Sequence, residues 1–286
     1  MHRGSARATL FNALGELVHP QEAPVPTRAL LAVMRESGCE HLAARQAITR
    51  CAQAGWIEGT RHGRESWWTL TAEGRRLVED GIRRVEALGR PAADWDGRWL
   101  VVLTSVPHDV RSVRQRLYRS LSWAGFGCPA PGVWLSPYPR RRSGAQRVIE
   151  RLDLTAHTLA FIGPAADVGL TDADIVARAW ALSELDELYA ALVERFAGCR
   201  PGNDQEGVRA LLALDEELQR LPMVDPQLPM QLAPNQNSRL AAARLLELRE
   251  AWLPLAHSFW RSLESDPAAD RGTGHETSKI ARARVK

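Results

Sequence analysis

Apolar residues recur at helical spacing from the start of the chain. Leu10, Phe11, Leu14, Leu17 and Val18 fall on one face and predict an amphipathic helix over residues 6–18. The proline-rich stretch from Pro20 to Pro26 breaks it, and Thr27 is placed to cap a second helix over 28–37, closed by Gly38. A third helix over 40–54 stops at Gly55. Trp56-Ile57-Glu58 and Trp67-Trp68-Thr69-Leu70 then flank the polar run Gly59 to Glu65, which predicts a β-hairpin with a basic tip. Strand alternation puts one of Trp67 and Trp68 in the core and leaves the other partly exposed. Thr71 caps a fourth helix whose buried stripe is Leu77, Val78, Ile82, Val85 and Leu88. Three helices, a hairpin and a long helix describe a winged helix-turn-helix with an extension, over residues 1–90.

A second section covers residues 91–166. Trp99–Val106 is a buried strand, and Asp109 is placed to cap a helix carrying Val110, Val113, Leu117 and Leu121. Short strands at 126–128 and 133–135 surround the turn Pro129-Ala130-Pro131-Gly132. A helix at 144–152 and a strand at 158–162 complete the order βαββαβ, the ferredoxin-like pattern. The third section, 167–264, is helical, with periodic segments at 173–197, 204–221 and 238–263. From 265 to 286 the apolar pattern fails and charge takes over, which predicts a disordered tail. The fold class expected is thus α+β and multidomain.

Charge sharpens this picture. The net charge of +3 hides an asymmetry: residues 1–90 balance at +3, residues 95–151 at +7 and residues 152–286 at −6. The first two sections suit a polyanion and the third does not. No apolar run approaches the ~18 residues of a membrane span, and the first residues lack the apolar core of a signal peptide. Cys39, Cys51, Cys128 and Cys199 lie far apart, out of metal-ligand register. Unpaired thiols suit a reducing cytoplasm.

The third helix carries the candidate chemistry. Ala44, Ala47, Ile48 and Cys51 make one small apolar face, and Arg45, Gln46, Thr49, Arg50 and Gln53 make the opposite one. In a major groove, Arg can bond guanine and Gln can bond adenine, while Thr and a second Arg hold phosphates. Small inner residues allow the close helix packing of a helix-turn-helix. Arg61, His62 and Arg64 sit at the hairpin tip, where a wing reaches an adjacent groove. Arg140, Arg141 and Arg142 form a second basic cluster, a candidate for DNA flanks or the phosphates of a nucleotide-like ligand. Nucleotide-binding, hydrolase and metalloprotease motifs are all missing. His157 and His257 read as structural, and Asp172 and Asp174 as helix-start capping residues. No catalytic residue, metal or cofactor is expected.

These residues resemble the PaaX family, repressors of bacterial phenylacetic acid catabolism. The resemblance spans about residues 5–263. It rests on Ser5-Ala6-Arg7 with Leu14-Gly15-Glu16; on Arg45, Ala47, Arg50 and Gly55-Trp56; and on Leu70-Thr71-Ala72-Glu73-Gly74. It continues through Trp95-Asp96-Gly97-Arg98-Trp99, Gly125-Phe126-Gly127 with Pro131-Gly132-Val133-Trp134, and Asp225-Pro226-Gln227-Leu228-Pro229. It implies a winged helix, a Cas2-like central domain and a helical C-terminal domain. It also implies a homodimer on double-stranded operator DNA, released by an aryl- or acyl-CoA thioester such as phenylacetyl-CoA. The chain departs from the family at Ala44 and Cys51, where bulky aliphatics are usual. It departs again at Ala233-Pro234-Asn235-Gln236-Asn237-Ser238, where Trp-Pro-Gly is usual, and at Leu218-Gln219-Arg220, in place of Tyr-Arg-Arg. Two other readings remain. One is a metal-dependent nuclease on the Cas2-like domain, although the first strand ends Leu103-Thr104-Ser105-Val106-Pro107 with no acid. The other is a scaffold with a DNA-binding adaptor.

Overall fold

The structure is a computed structural model that describes residues 5–21, 23–63, 65–90, 94–106, 110–166 and 168–265. In chain order the elements begin with α1 (Ala6–Ala13), continued by a π-helical turn Leu14–Val18, then β1 (Val25–Pro26), α2 (Thr27–Glu36) and α3 (His41–Gln53). The hairpin strands β2 (Ile57–His62) and β3 (Glu65–Leu70) precede α4 (Ala72–Leu88). Next come β4 (Trp99–Thr104), α5 (Arg111–Trp123), β5 (Gly127–Ala130), β6 (Val133–Ser136), α6 (Arg142–Arg151) and β7 (Thr158–Gly163). The chain finishes with α7 (Asp172–Ala179), α8 (Leu182–Ala197), α9 (Asp204–Leu218) and α10 (Ser238–Ser265). The fold is mixed α+β with antiparallel sheets. The expected tail lies outside the described residues beyond Ser265.

The chain forms two compact units, each built from separated segments. The first takes its described residues from Met1–Asp80, Arg200–Glu216 and Glu250–Lys286; the second takes them from Gly81–Cys199 and Glu217–Arg249. Sections drawn at 90, 166 and 264 follow the chain, whereas these units follow contacts. Among the described residues no helix is long and apolar enough to cross a membrane. Nor does any group of three or more His, Cys, Asp or Glu side chains among them come together to hold a metal ion.

In the first unit Leu10, Ala13, Leu14 and Leu17 are buried where α1 packs on α2 and α3. Gly38 and Gly55 adopt left-handed conformations just past α2 and α3, as helix ends require. The expected cap at Thr27 is corrected. Pro26 occupies the cap position without a side-chain bond. The Thr27 hydroxyl instead donates to the Ser66 carbonyl (2.8 Å) and accepts from the Trp68 indole (2.9 Å). It ties α2 to the hairpin, a contact between residues about forty apart that local pattern does not reveal. The expected core tryptophan is corrected as well, since Trp67 and Trp68 are both only half-buried. β1 pairs with β3, giving a three-stranded sheet in the order β1-β3-β2. Thr71 does cap α4, accepting from the Gly74 amide at 3.0 Å. At the far end of the chain, the His257 ring donates to the Glu16 carbonyl within the π turn (2.9 Å), a structural task.

In the second unit the sheet order is β5-β6-β4-β7, all antiparallel, with α5 and α6 as the intervening helices. This is the ferredoxin-like arrangement. Leu100, Val102 and Trp134 from the strands, with Phe126 just before β5, pack with Leu117, Leu121 and Ile149 from the helices. The other sheet face places Trp99 and Leu135 against Leu228, Leu232 and Val176. Asp109 lies outside the described residues, and α5 begins after Val110 with no side-chain cap. The helix expected over 173–197 is corrected to two, α7 and α8. Trp180 takes an extended conformation between them, and its ring stacks 6.2 Å from that of Trp99. Burial of one indole against the sheet overrides helical periodicity there. Thr171 and Asp174 form a reciprocal capping box on α7, and Asp172 accepts from the Trp99 indole (2.8 Å).

Candidate nucleic-acid interface

The faces of α3 separate as the spacing dictates. Ala44, Ala47, Ile48 and Cys51 are at most 3% exposed, whereas Arg45, Gln46, Thr49, Arg50 and Gln53 all lie in solvent. Alanines at 44 and 47 bring α3 close to α1. Burial pushes the Cys51 thiol up, so it sits there as a neutral small apolar group. Two local bonds shape the polar face. The Arg45 Nε approaches His41 Nε2 at 3.5 Å, and the Thr49 hydroxyl donates to the Arg45 carbonyl (3.1 Å). The Thr49 hydroxyl is exposed, and a phosphate contact there would exchange this bond to the helix for one to the ligand.

Leu42 is 69% exposed and was not among the expected site residues. It precedes Arg45 by three positions, Gln46 by four and Thr49 by seven, so it shares their face. The signal was present in the sequence as an apolar residue out of phase with 44, 47, 48 and 51. An apolar side chain there suits a thymine methyl group.

The hairpin is longer than expected. Six pairs, from Ile57 with Leu70 to His62 with Glu65, correct the polar loop of 59–65 to a two-residue connection that begins at Gly63. Gly63 is in the left-handed region, which suits so tight a turn. Arg61 and His62 are exposed at the end of β2, and Arg64 lies outside the described residues. Beside the turn of the hairpin, Glu65 forms an ion pair with Arg28, and its other carboxylate oxygen accepts from the Arg28 amide at 3.2 Å. The hairpin is thereby tied to the start of α2. The Arg7 guanidinium lies 4.1 Å from the Trp56 ring centre, a further clamp between α1 and the end of α3.

The second basic cluster divides. Arg140 and Arg142 are exposed, but Arg141 turns inward, donating to the Gly125 carbonyl (2.5 Å) and the Pro226 carbonyl (3.1 Å). Burial lowers its pKa to about 10. Its candidacy as a DNA or ligand contact is corrected: it joins Gly125 to the Asp225-Pro226 turn. Asp225, in that turn, accepts from the Tyr189 hydroxyl (2.8 Å) and the Gln227 amide (2.7 Å).

Burial is the largest influence on Asp225 and pushes its carboxyl above the usual range, against the pull of those donors. The folded state then binds more protons than the unfolded one between the two pKa values. Stability therefore falls as pH rises through that window. Asp225→Asn stays neutral and should remove this fall. Urea unfolding from about pH 4 to about pH 8 measures it, and a stability difference between variant and parent that is independent of pH would contradict it.

Comparison with known proteins follows these elements. Residues 5–74 match the family model described as PaaX-like protein, and residues 92–175 match the PaaX protein central Cas2-like domain. The transcriptional repressor PaaX of Escherichia coli (strain K12) is 26% identical over 241 residues, 80% of this chain and 74% of that protein. Among solved structures, the uncharacterized protein Rv0674 from Mycobacterium tuberculosis superimposes with a TM-score of 0.60 at 17% identity. The match covers 88% of this chain and 97% of that one, and it shows likeness of fold. With both models of one family matched in order across α1–β3 and the ferredoxin-like domain, the chain belongs to the PaaX family.

Proposed function

We propose that the protein is a DNA-binding transcriptional repressor of a phenylacetic acid-type catabolic operon, and not an enzyme. The observation that carries this reading is the face of α3. Arg45, Gln46, Arg50 and Gln53 stand in solvent, opposite a small buried face, directly before a hairpin that ends in Arg61 and His62. The first 90 residues then act as a winged helix-turn-helix, with α3 in the major groove and the hairpin as its wing. Likeness to the repressor PaaX supports the assignment. The finer reading is a cytoplasmic homodimer on a palindromic operator, with a helical C-terminal domain, released by an aryl- or acyl-CoA thioester. The family resemblance supports it.

The test is an electrophoretic shift of the purified chain on DNA from upstream of its own gene, with excess unrelated duplex as competitor. A specific complex at nanomolar protein is expected; binding that the competitor abolishes would overturn the reading. The wing makes a separate prediction. Arg61→Ala should weaken binding to specific and unrelated DNA alike and reduce the slope of log affinity against log salt by about one. A loss confined to one base position, with an unchanged salt slope, would remove Arg61 from the phosphate backbone.

A further inference from the structure

The second unit holds a cavity of about 310 Å³ where the end of α4, the loop after β6, the Asp225–Gln227 turn and the start of α10 meet. We infer that this cavity is a binding site for the oxyanion group of a small organic ligand, a carboxylate or a phosphate ester. Arg90, Arg140 and Arg239 reach it from three separate segments of the chain. Asp225 is the acid that lines it; its two oxygens accept from the Tyr189 hydroxyl and the Gln227 amide, and its single charge is outnumbered by the three guanidinium groups of the lining. The buried Arg141 guanidinium stands close enough to bear on that carboxylate's charge. A positive surplus is therefore left at the rim.

Among the described residues Arg140 has a ring rather than a carboxylate for company, lying 4.7 Å from the Tyr138 ring centre. Arg90 pairs with Glu86 only at the surface. Arg239 gives one nitrogen to the Leu228 carbonyl, which fixes the arm and leaves its other donors. The walls are braced, since the Tyr138 hydroxyl donates to the Gln227 carbonyl. One wall group is also unfinished. The Gln236 side-chain nitrogen is buried in the lining without a hydrogen-bond partner among the described residues. A buried donor left unmade is costly, and a bound oxyanion would satisfy it. Convergent guanidinium groups, an idle amide donor and the first turn of a long helix are what an oxyanion recruits.

The site deepens the effector reading above and rests on it only for its regulatory meaning; binding stands alone. Melting of the full chain is followed with inorganic phosphate, phenylacetate and coenzyme A as probes, beside Arg140→Ala and Gln236→Leu. A saturable rise in melting temperature with at least one probe is expected, with its dissociation constant raised about tenfold or more in each variant. A response to phenylacetate alone identifies a carboxylate ligand, and one to phosphate or coenzyme A a phosphate ester. Without probe Arg140→Ala should melt as the parent does, because Arg140 is exposed, and Gln236→Leu should melt no lower than the parent, because the buried amide nitrogen has no bond to lose. Absence of any shift at millimolar probe, or equal shifts in parent and variants, overturns the site. The operator shift assay is scored separately, so a failed repressor and a failed pocket are distinguishable.

Discussion

Replacing Arg45 and Arg50 together with alanine should cost about 1–3 kcal/mol of operator affinity for each base contact removed, roughly ten- to a hundredfold per residue. The melting temperature should barely move. Both arginines are exposed, neither forms an ion pair among the described residues, and alanine is the better helix former. A guanidinium reads a guanine edge through two parallel bonds in fixed geometry, so Arg45→Lys should also lose discrimination while retaining charge. Fluorescence anisotropy on the operator and on a scrambled duplex measures the difference. Undiminished specific affinity in the double variant would end the recognition-helix assignment. Loss of affinity together with a fall in melting temperature would mean that these residues hold the fold instead.

The largest stability effect is expected at Gly74. In a helix, Gly→Ala ordinarily stabilises by about 1 kcal/mol. Here a Cβ would stand 1.9 Å from the Trp56 carbonyl oxygen and 2.9 Å from its carbon, and both are backbone atoms. That carbonyl also accepts from the Thr71 amide at 3.0 Å and the Thr71 hydroxyl at 3.3 Å. Relief requires the start of α4 to leave the base of the hairpin, which disrupts the Thr71 cap as well. Gly74→Ala should therefore destabilise by roughly 3 kcal/mol or more, opposite in sign to the helical expectation. Urea denaturation checks it, and a variant as stable as its parent would show that α4 and the hairpin base are not in rigid contact.

Much of the candidate interface was legible before any fold was known. A helix repeats every 3.6 residues, so the phase of Ala44, Ala47, Ile48 and Cys51 already dictated which side chains point away. The exposed set Arg45, Gln46, Thr49, Arg50 and Gln53 follows from that phase alone. Leu42 is apolar by type, and only its phase on the helix places it with the polar face. Thr49 shows a second limit: its hydroxyl had a partner one turn back, which a helical wheel does not display. The full length of the hairpin is hidden in the sequence because both faces of β2 beyond Ile57 lie in solvent, so Gly59–His62 carry no apolar alternation.

Local pattern by itself determined most element types, the cap at Thr71, the helix-start role of Asp174, the left-handed ends at Gly38 and Gly55, and the βαββαβ order. Each of these is decided within a few residues of chain. Tertiary structure alone decided that Arg141 points inward while its neighbours face out, that Trp180 breaks a helix to stack on Trp99, and that Thr27 ties a hairpin instead of capping a helix. It also decided that two compact units draw on distant segments, and that arginines at 90, 140 and 239 share one cavity. The physical reason is common to all of them. Burial and hydrogen-bond satisfaction depend on partners tens to hundreds of residues away, and no periodicity along the chain encodes where those partners come to rest.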